Sequence, residues 1–164
     1  MKHTCGLLGF IVTVCVFAPG AAVATDGLIL SQAQAIIAAA EKKAVEIKKP
    51  MNIAVVDAGG NLVAFARMND SILVSIGISI DKAWTAAAVK VPTHVLTDLS
   101  QPGKSLFGIH TTNHGRVVIF GGGFPIKVGD RVVGGLGVSG GSVEEDMQVA
   151  EAGLAALGKP RGGR

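Results

Sequence analysis

Glycine is concentrated in residues 121–142, GGGFPIKVGDRVVGGLGVSGGS, where nine of 22 residues are glycine. Because glycine has no Cβ, it permits tight turns and lets backbone approach a ligand closely. Two catalytic patterns overlap in this stretch. Gly135, Gly137 and Gly140 form GxGxxG, and Ser139 is the serine of a GxSxG. The stretch therefore either surrounds a ligand or only bends the chain.

The GxGxxG pattern lacks the rest of a dinucleotide site. Such a site has an acidic residue for the ribose about 20 residues further on, where this chain has Gly158–Pro160. The glycines are not followed by Gly-Lys-Ser/Thr, which excludes a P-loop. In α/β-hydrolases the triad histidine follows the GxSxG serine, yet no histidine lies beyond His114. Other triads place the histidine earlier, so Ser139 stays a candidate nucleophile.

The end of the stretch also has the features of a helix start. Ser139 or Ser142 is expected to cap the final helix. Backbone N–H groups at a helix start attract anions such as a propionate. However, Glu144, Glu145 and Asp146 occupy the first turn and already satisfy the helix dipole. From these residues alone, a tight turn that leads into a capped helix is the better explanation.

The N-terminus has the pattern of a secretory signal peptide over residues 1–24. A basic start is followed by the apolar run Leu7–Phe17, and small residues occupy Ala22–Ala24. The apolar run is shorter than the ~20 residues of a membrane span. We therefore expect cleavage after Ala24, a periplasmic or secreted protein, and no stable membrane insertion.

The composition of the mature chain limits its chemistry. Both cysteines, Cys5 and Cys15, precede the expected cleavage site, which excludes disulfides and cysteine nucleophiles or ligands. Fourteen basic and 12 acidic residues remain, with few aromatic residues, so nucleic acid is not an expected partner. The length predicts one domain over residues 25–158, followed by a flexible basic tail over 159–164.

Hydrophobic periodicity and turn residues predict an α+β fold, an antiparallel sheet of about five strands flanked by α-helices. Ser31 is expected to cap a helix that stops at Pro50, and Asp70 or Ser71 a second helix that ends at Pro92. The second helix is rich in Ala, Gly and Ser, which predicts close packing against a neighbour. The predicted strands are the two halves of MNIAVVDAGGNLVAFARM, then RVVIF, FPIKV and RVVGGLGV; short and final helices are predicted over Thr93–Leu99 and from Ser142 to about Ala156.

The mature chain has three histidines: His94, His110 and His114. The last two are four residues apart, which on a helix would suit a metal, but GIHTTNHGR is typical of a loop and lacks the glutamate of HExxH. A haem needs one or two axial ligands and an apolar pocket, which His110 or His114 could supply more easily than a zinc site. Candidate partners for haem propionates are Arg67, Lys82, Lys104 and Arg116.

Four motifs together resemble one known family. DKAWTAAA from Asp81, PTHVL from Pro92, GGGFPI from Gly121 and GGLGVSGGSVEEDMQVAEAG from Gly134 occur in the order typical of that family. The chain resembles the GlcG/HbpS-like haem-binding or haem-degrading family, and is similar to the C-terminal domain of PduO-type cobalamin adenosyltransferases. The resemblance covers about residues 28–157.

The resemblance implies a profilin-like antiparallel sheet with flanking helices, a homo-oligomer, and a small-ligand site whose best-known ligand is haem. It implies that the glycines shape a hairpin and turn beside a pocket. Two departures are visible: members often have Arg-Met-Asp-Gly-Ala at residues 67–71, and the acidic D/E-x-x-E iron motif is not evident in SVEEDMQ. The matching positions expected to line or support the pocket are Arg67, Lys82, Gly121, Gly122, Gly123, Pro125, Ser139, Gly140 and Asp146.

Three functions follow as hypotheses. The first is an exported oligomer that binds haem or a related tetrapyrrole without fast catalysis, with His110, His114 or His94 as candidate iron ligands. The second is an enzyme acting on a small carboxylated metabolite, in which Arg67 or Lys82 holds the carboxylate and Asp146 or a histidine moves a proton. The third is a structural or sensory partner with neither ligand nor turnover.

Overall fold

The computed structural model describes residues 27–157, so the expected signal peptide and basic tail lie outside the described residues. Within that range no helix has the length and apolar character needed to cross a membrane. Two short 3₁₀ turns, Ile109–Thr111 and Asn113–Gly115, lie in the loop before the third strand. The helices and strands are α1 Leu30–Glu46, β1 Asn52–Asp57, β2 Leu62–Arg67, α2 Ser75–Val89, α3 Val95–Leu99, β3 Gly123–Val128, β4 Arg131–Ser139 and α4 Val143–Ala155.

The sheet has four antiparallel strands in the order β2-β1-β4-β3, which confirms the α+β prediction. Along β1, side chains alternate between the two faces. Ile53 and Val55 belong to the larger core, which α1 and α4 cover. Ala54 and Val56 pack on the other face against α2. The helices therefore sandwich the sheet, and its central strands are buried.

The third predicted strand, RVVIF at residues 116–120, is wrong. This apolar segment has no strand partner and instead runs along the helices. The Thr85 hydroxyl on α2 donates to the Arg116 carbonyl and accepts from the Val118 N–H. The Thr97 hydroxyl donates to the Ile119 carbonyl. Helix hydroxyls thus satisfy backbone groups that a neighbouring strand would otherwise have paired.

Two predicted helix starts are also wrong. Helix α1 begins at Leu30, before Ser31, and Gln32 Oε1 accepts from the Ile29 N–H at 3.1 Å. Helix α2 begins at Ser75, and neither Asp70 nor Ser71 caps it. The Ser71 hydroxyl instead bonds to the buried Asn52 side chain. The prediction for α4 is confirmed for Ser142, which forms a capping box with Glu145.

The glycines of β3 and β4 let α2 lie directly on the sheet. A Cβ on Gly137 would clash with the Ser79 carbonyl oxygen, and one on Gly135 with the Ala83 carbonyl oxygen. On β3, a Cβ on Gly123 would lie 2.6 Å from the Lys82 carbonyl oxygen. The predicted close packing of α2 is therefore confirmed, and it sets the position of Lys82 above the sheet.

Candidate functional site

Lys82 and Asp146 form a buried ion pair between α2 and α4. Lys82 Nζ lies 2.6 Å from Asp146 Oδ2 and donates a second hydrogen bond to the Val138 carbonyl at 2.9 Å. Asp146 Oδ1 accepts from the Gly141 N–H at 2.9 Å. Lys82 is fully buried and Asp146 is 3 % exposed. A charged pair at this depth is stable only because both ions have fixed partners.

Glycine backbone encloses the ammonium group from the side of the sheet. Gly122 has a φ of 112°, and a Cβ there would lie 2.7 Å from Lys82 Nζ. The Gly122 carbonyl also accepts from the Val138 N–H, which fixes the segment that precedes β3. The Phe120 ring lies over Lys82 with its centroid 4.9 Å from Nζ, a cation–π arrangement. The glycines therefore make room for a charge of the protein itself.

Burial governs the protonation of both partners. Burial lowers the pKa of Lys82, and the charge and hydrogen bond of Asp146 oppose this change. Burial likewise raises the pKa of Asp146, and the charge and hydrogen bonds of Lys82 and of the backbone oppose it. Each charged form therefore depends on its partner.

The buried pair brings together four of the twelve site residues predicted from the sequence: Lys82, Asp146, Gly122 and Gly140. Lys82 and Asp146 contact each other, and Gly122, Gly140 and Gly141 lie around them. The hydrogen bonds join three elements, α2, the end of β4 and the start of α4. Because both side chains are buried and their polar atoms have partners within the described residues, the pair supports the fold and does not present a charge to a ligand. This placement leaves Lys82 unable to hold a substrate carboxylate in the described conformation.

Gly121, Pro125 and Ser139 lie at the edge of this region. Gly121 packs against Met147 and Val143 of α4, and Pro125 lies opposite Gly135 in the β3–β4 pairing. Ser139 ends β4 opposite Asn52 and is buried. Within the described range, no histidine hydrogen-bonds to Ser139.

The three histidines are exposed and lie outside the buried pair. His94 precedes α3, with its ring centroid 5.9 Å from that of Phe124. His110 and His114 lie in separate 3₁₀ turns, and His114 has a φ of 59°, so the two do not share a helix face. Between residues 27 and 157, none of the three imidazole side chains makes a hydrogen bond or ion pair. In the same range, no group of three histidine, cysteine or acidic side chains could hold a metal ion.

Arg67 lies in the same row of the sheet as Ser139, with Asn52 between them. It ends β2, an edge strand, and lines an open hollow of about 460 Å³ together with Met68, Asn69 and Asp70. Arg67 takes no part in the hydrogen bonds of the Lys82–Asp146 pair.

Three residues of the region were missed from the sequence. The Thr93 hydroxyl accepts from the Gly123 N–H at 3.0 Å and so fixes the start of β3. Phe120 covers Lys82, and Asn52 is fully buried with its amide donating to the Ile72 carbonyl at 3.1 Å. Asn52 could have been identified from the sequence, since it is a polar residue at the start of the buried strand sequence NIAVV.

Relatives support the family suggested by the motifs. A protein of 15.0 kDa from the dhaT–dhaS intergenic region of Citrobacter freundii is 46% identical over 127 residues, covering 77% of this chain and 89% of that protein. The corrinoid adenosyltransferase PduO of Citrobacter freundii is 46% identical over 119 residues, 73% of this chain but only 36% of PduO. The chain thus corresponds to about a third of PduO.

A solved structure supports the same family. The PduOC domain, crystallised as a haem complex, has a TM-score of 0.77 and 41% identity to this chain, covering 79% of this chain and 94% of PduOC. A model of the family described as haem-degrading, HbpS-like proteins matches residues 28–155. The protein belongs to the HbpS-like family.

Proposed function

We propose that this protein binds haem or a related tetrapyrrole. The observation that carries the proposal is the similarity to PduOC, which was crystallised with haem and is 41% identical to this chain. The family description as haem-degrading points in the same direction. Haem would supply a redox-active iron.

The described residues include the side-chain types that bind a haem. His94, His110 and His114 are exposed, and within residues 27–157 their ring nitrogens have no hydrogen-bond partner, so each is free to coordinate iron. Phe107 is 63% exposed in the same loop as His110 and offers an apolar surface to a macrocycle. Lys104, also exposed in that loop, could pair with a propionate. These features favour the loop of residues 101–116 as the part that holds the ligand.

The test is a titration of haemin into residues 25–164, followed by the Soret band. We expect saturation at a fixed ratio per subunit. His110→Ala or His114→Ala should shift the Soret maximum and weaken binding at least tenfold if the replaced imidazole is the axial ligand. Ser105→Ala is the matched control because Ser105 is exposed in the same loop and lacks a polar partner in the described range.

The outcomes separate haem binding from histidine ligation. A linear response without saturation would mean surface adsorption and would overturn the haem proposal. A saturating titration that is unchanged in His94→Ala, His110→Ala and His114→Ala would keep haem binding but reject histidine as the ligand. An equal loss in Ser105→Ala would indicate a general disturbance of the loop.

We also propose that the protein is exported, with residues 1–24 removed. The support is the sequence pattern of a basic start, an apolar run and small residues before Thr25. Expression of the full gene in a Gram-negative host, followed by mass spectrometry of the periplasmic fraction, should give a chain that begins at Thr25. A full-length chain retained in the cytosol would contradict export.

We further propose that the protein forms a homo-oligomer. The support is the apolar segment Ile72–Val74, whose side chains are 55%, 75% and 65% exposed. Its backbone is fixed, because the Ile72 carbonyl accepts from the Asn52 side chain and from the Ser75 N–H. A rigid, exposed apolar run of this kind is typical of a protein interface, and the occupant we assign to it is a second copy of this chain.

A further inference from the structure

Two hollows lie side by side where the end of α1 meets the end of β2. The smaller, of about 290 Å³, has an apolar wall formed by Ala44, Val45, Pro50 and Met68. The larger, of about 460 Å³, is lined by residues 67–70. Met68 borders both, and we call the two neighbouring hollows together the α1–β2 groove. The volume of each lies near the lower end of the range for small-molecule sites.

The wall of the groove is held in place by the backbone around it. Met68 Sδ accepts from the Met51 N–H at 3.3 Å, and the Met68 N–H donates to the Met51 carbonyl. On the other side, the Lys49 N–H donates to the Ala44 carbonyl and closes the end of α1. The groove therefore exists before any ligand binds, which lowers the entropy cost of binding.

Cations outnumber anions around the groove. Lys48 and Lys49 line the apolar hollow, and Arg67 lines the polar one. Lys49 pairs with Glu145 at 3.4 Å, whereas the side chains of Lys48 and Arg67 make no hydrogen bond or ion pair within residues 27–157. Asp70 also lines the polar hollow and offsets one positive charge. A net positive rim beside an apolar wall is complementary to a carboxylate on an apolar body.

We propose that the α1–β2 groove binds a small organic acid, with its apolar part against Val45, Pro50 and Met68 and its carboxylate toward Lys48 and Arg67. The groove is not lined by a histidine, so this inference does not depend on the haem proposal. It extends the role of Arg67 and adds Lys48 and the apolar wall as determinants of specificity.

The test is an NMR titration of ¹⁵N-labelled residues 25–164 with hexanoate, in the absence of haemin. Hexan-1-ol is the uncharged match for the ligand. Hexanoate should bind with a Kd on the order of 1 mM, as expected for so few atoms. The amide signals of Val45, Lys48, Arg67 and Met68 should shift together and saturate. Hexan-1-ol should bind at least about fivefold more weakly, because it lacks the charge.

Substitutions test whether Lys48 and Arg67 are the cations that bind the carboxylate. The double variant Lys48→Gln/Arg67→Gln should weaken hexanoate binding by about fivefold or more and leave hexan-1-ol binding unchanged. Lys127→Gln, an exposed lysine on β3, is the matched control and should bind hexanoate like the wild type. Shifts scattered over the surface, equal binding of hexan-1-ol, or an equal loss in Lys127→Gln would each overturn the proposal.

Haemin also carries carboxylates on an apolar body, and a final titration distinguishes the two sources. If haemin reverses the shifts that hexanoate causes in the amide signals of the groove, the carboxylate that the groove binds belongs to a tetrapyrrole. Haemin that binds while hexanoate stays would assign it to a separate organic acid. Failure of hexanoate to bind, with a normal Soret titration, would overturn this inference and leave the haem proposal standing.

Discussion

The role assigned to the Lys82 side chain changes once its surroundings in the structure are known. In the sequence it is a basic residue in a family motif, available to hold a propionate or a carboxylate. In the structure its ammonium group is enclosed by Asp146, the Val138 carbonyl and the Phe120 ring. Its function at the scale of the residue is therefore to join α2 to β4 and α4.

Separating the ion pair should be costly. Lys82→Met leaves a buried carboxylate without its cation, and Asp146→Leu leaves a buried ammonium without its anion. We expect each to lower the free energy of unfolding by about 3–5 kcal/mol. The double variant should lose much less than the sum, because no buried charge remains.

Urea unfolding followed by circular dichroism measures these effects. Lys43→Met is the matched control, since Lys43 forms an exposed pair with Glu46 at 3.4 Å and should change stability by less than about 0.5 kcal/mol. Additive losses in the double variant would show that Lys82 and Asp146 do not act as a pair.

The raised pKa of Asp146 gives a pH dependence with a defined sign. Because burial raises the pKa of Asp146 above 3.8, the native protein retains this proton at a pH where the unfolded chain has lost it. Lowering the pH through the native pKa toward 3.8 should therefore stabilise the wild type relative to Asp146→Asn. Glu144 and Glu145, whose pKa values are lowered, are present in both proteins and cancel in the comparison.

Urea unfolding between pH 7 and pH 4 measures the difference in free energy of unfolding between the wild type and Asp146→Asn. A constant difference across the range, or one that shrinks as the pH falls, would contradict a raised pKa for Asp146.

At the scale of elements, the glycines of β4 explain how α2 packs. The motif GGLGVSGG suggested a ligand site or a turn, but Gly135 and Gly137 face the backbone of α2. Local sequence could predict the helix and the strand. The Ala, Gly and Ser content of α2 predicted close packing against a neighbour, but it could not predict that this neighbour is β4, because that contact joins residues far apart in the chain.

Two glycine-to-alanine substitutions test this packing, one in β4 where it faces α2 and one on the exposed side of α2. Gly137→Ala places a methyl group against the Ser79 carbonyl and should lower stability by about 1–3 kcal/mol or more. Gly77→Ala is the matched control, because nothing lies within 4 Å of a Cβ at this exposed position in α2. It should raise stability by about 0.5–1 kcal/mol. Thermal unfolding compares them, and equal effects would contradict the packing argument.

At the scale of the whole molecule, the exposed segment Ile72–Val74 is the strongest candidate for an interface. The sequence placed these residues inside a helix, where apolar side chains would be expected to contribute to the core. Because α2 begins only at Ser75, the segment lies before the helix and its side chains face outward. An assembled state would remove this apolar surface from water.

Sedimentation velocity tests the assembly. The wild type should sediment as an oligomer, and Leu73→Glu should shift it toward the monomer. Val128→Glu is the control, since Val128 is 58% exposed at the β3–β4 hairpin, away from the segment in sequence. A monomeric wild type would contradict oligomer formation, and equal dissociation by both variants would contradict the location of the interface.

The sequence by itself determined the family, the two hairpins and the approximate extent of the final helix, and it limited the cap of that helix to Ser139 or Ser142. These features depend on local propensities and on motifs that can be read along the chain. The tertiary structure alone decided that RVVIF is not a strand, that Arg67 and Ser139 flank Asn52 in the sheet, and that Lys82 is enclosed. The bonds of Lys82 span 56 and 64 residues. Whether a charge is paired and buried depends on such long-range contacts, which no local pattern specifies.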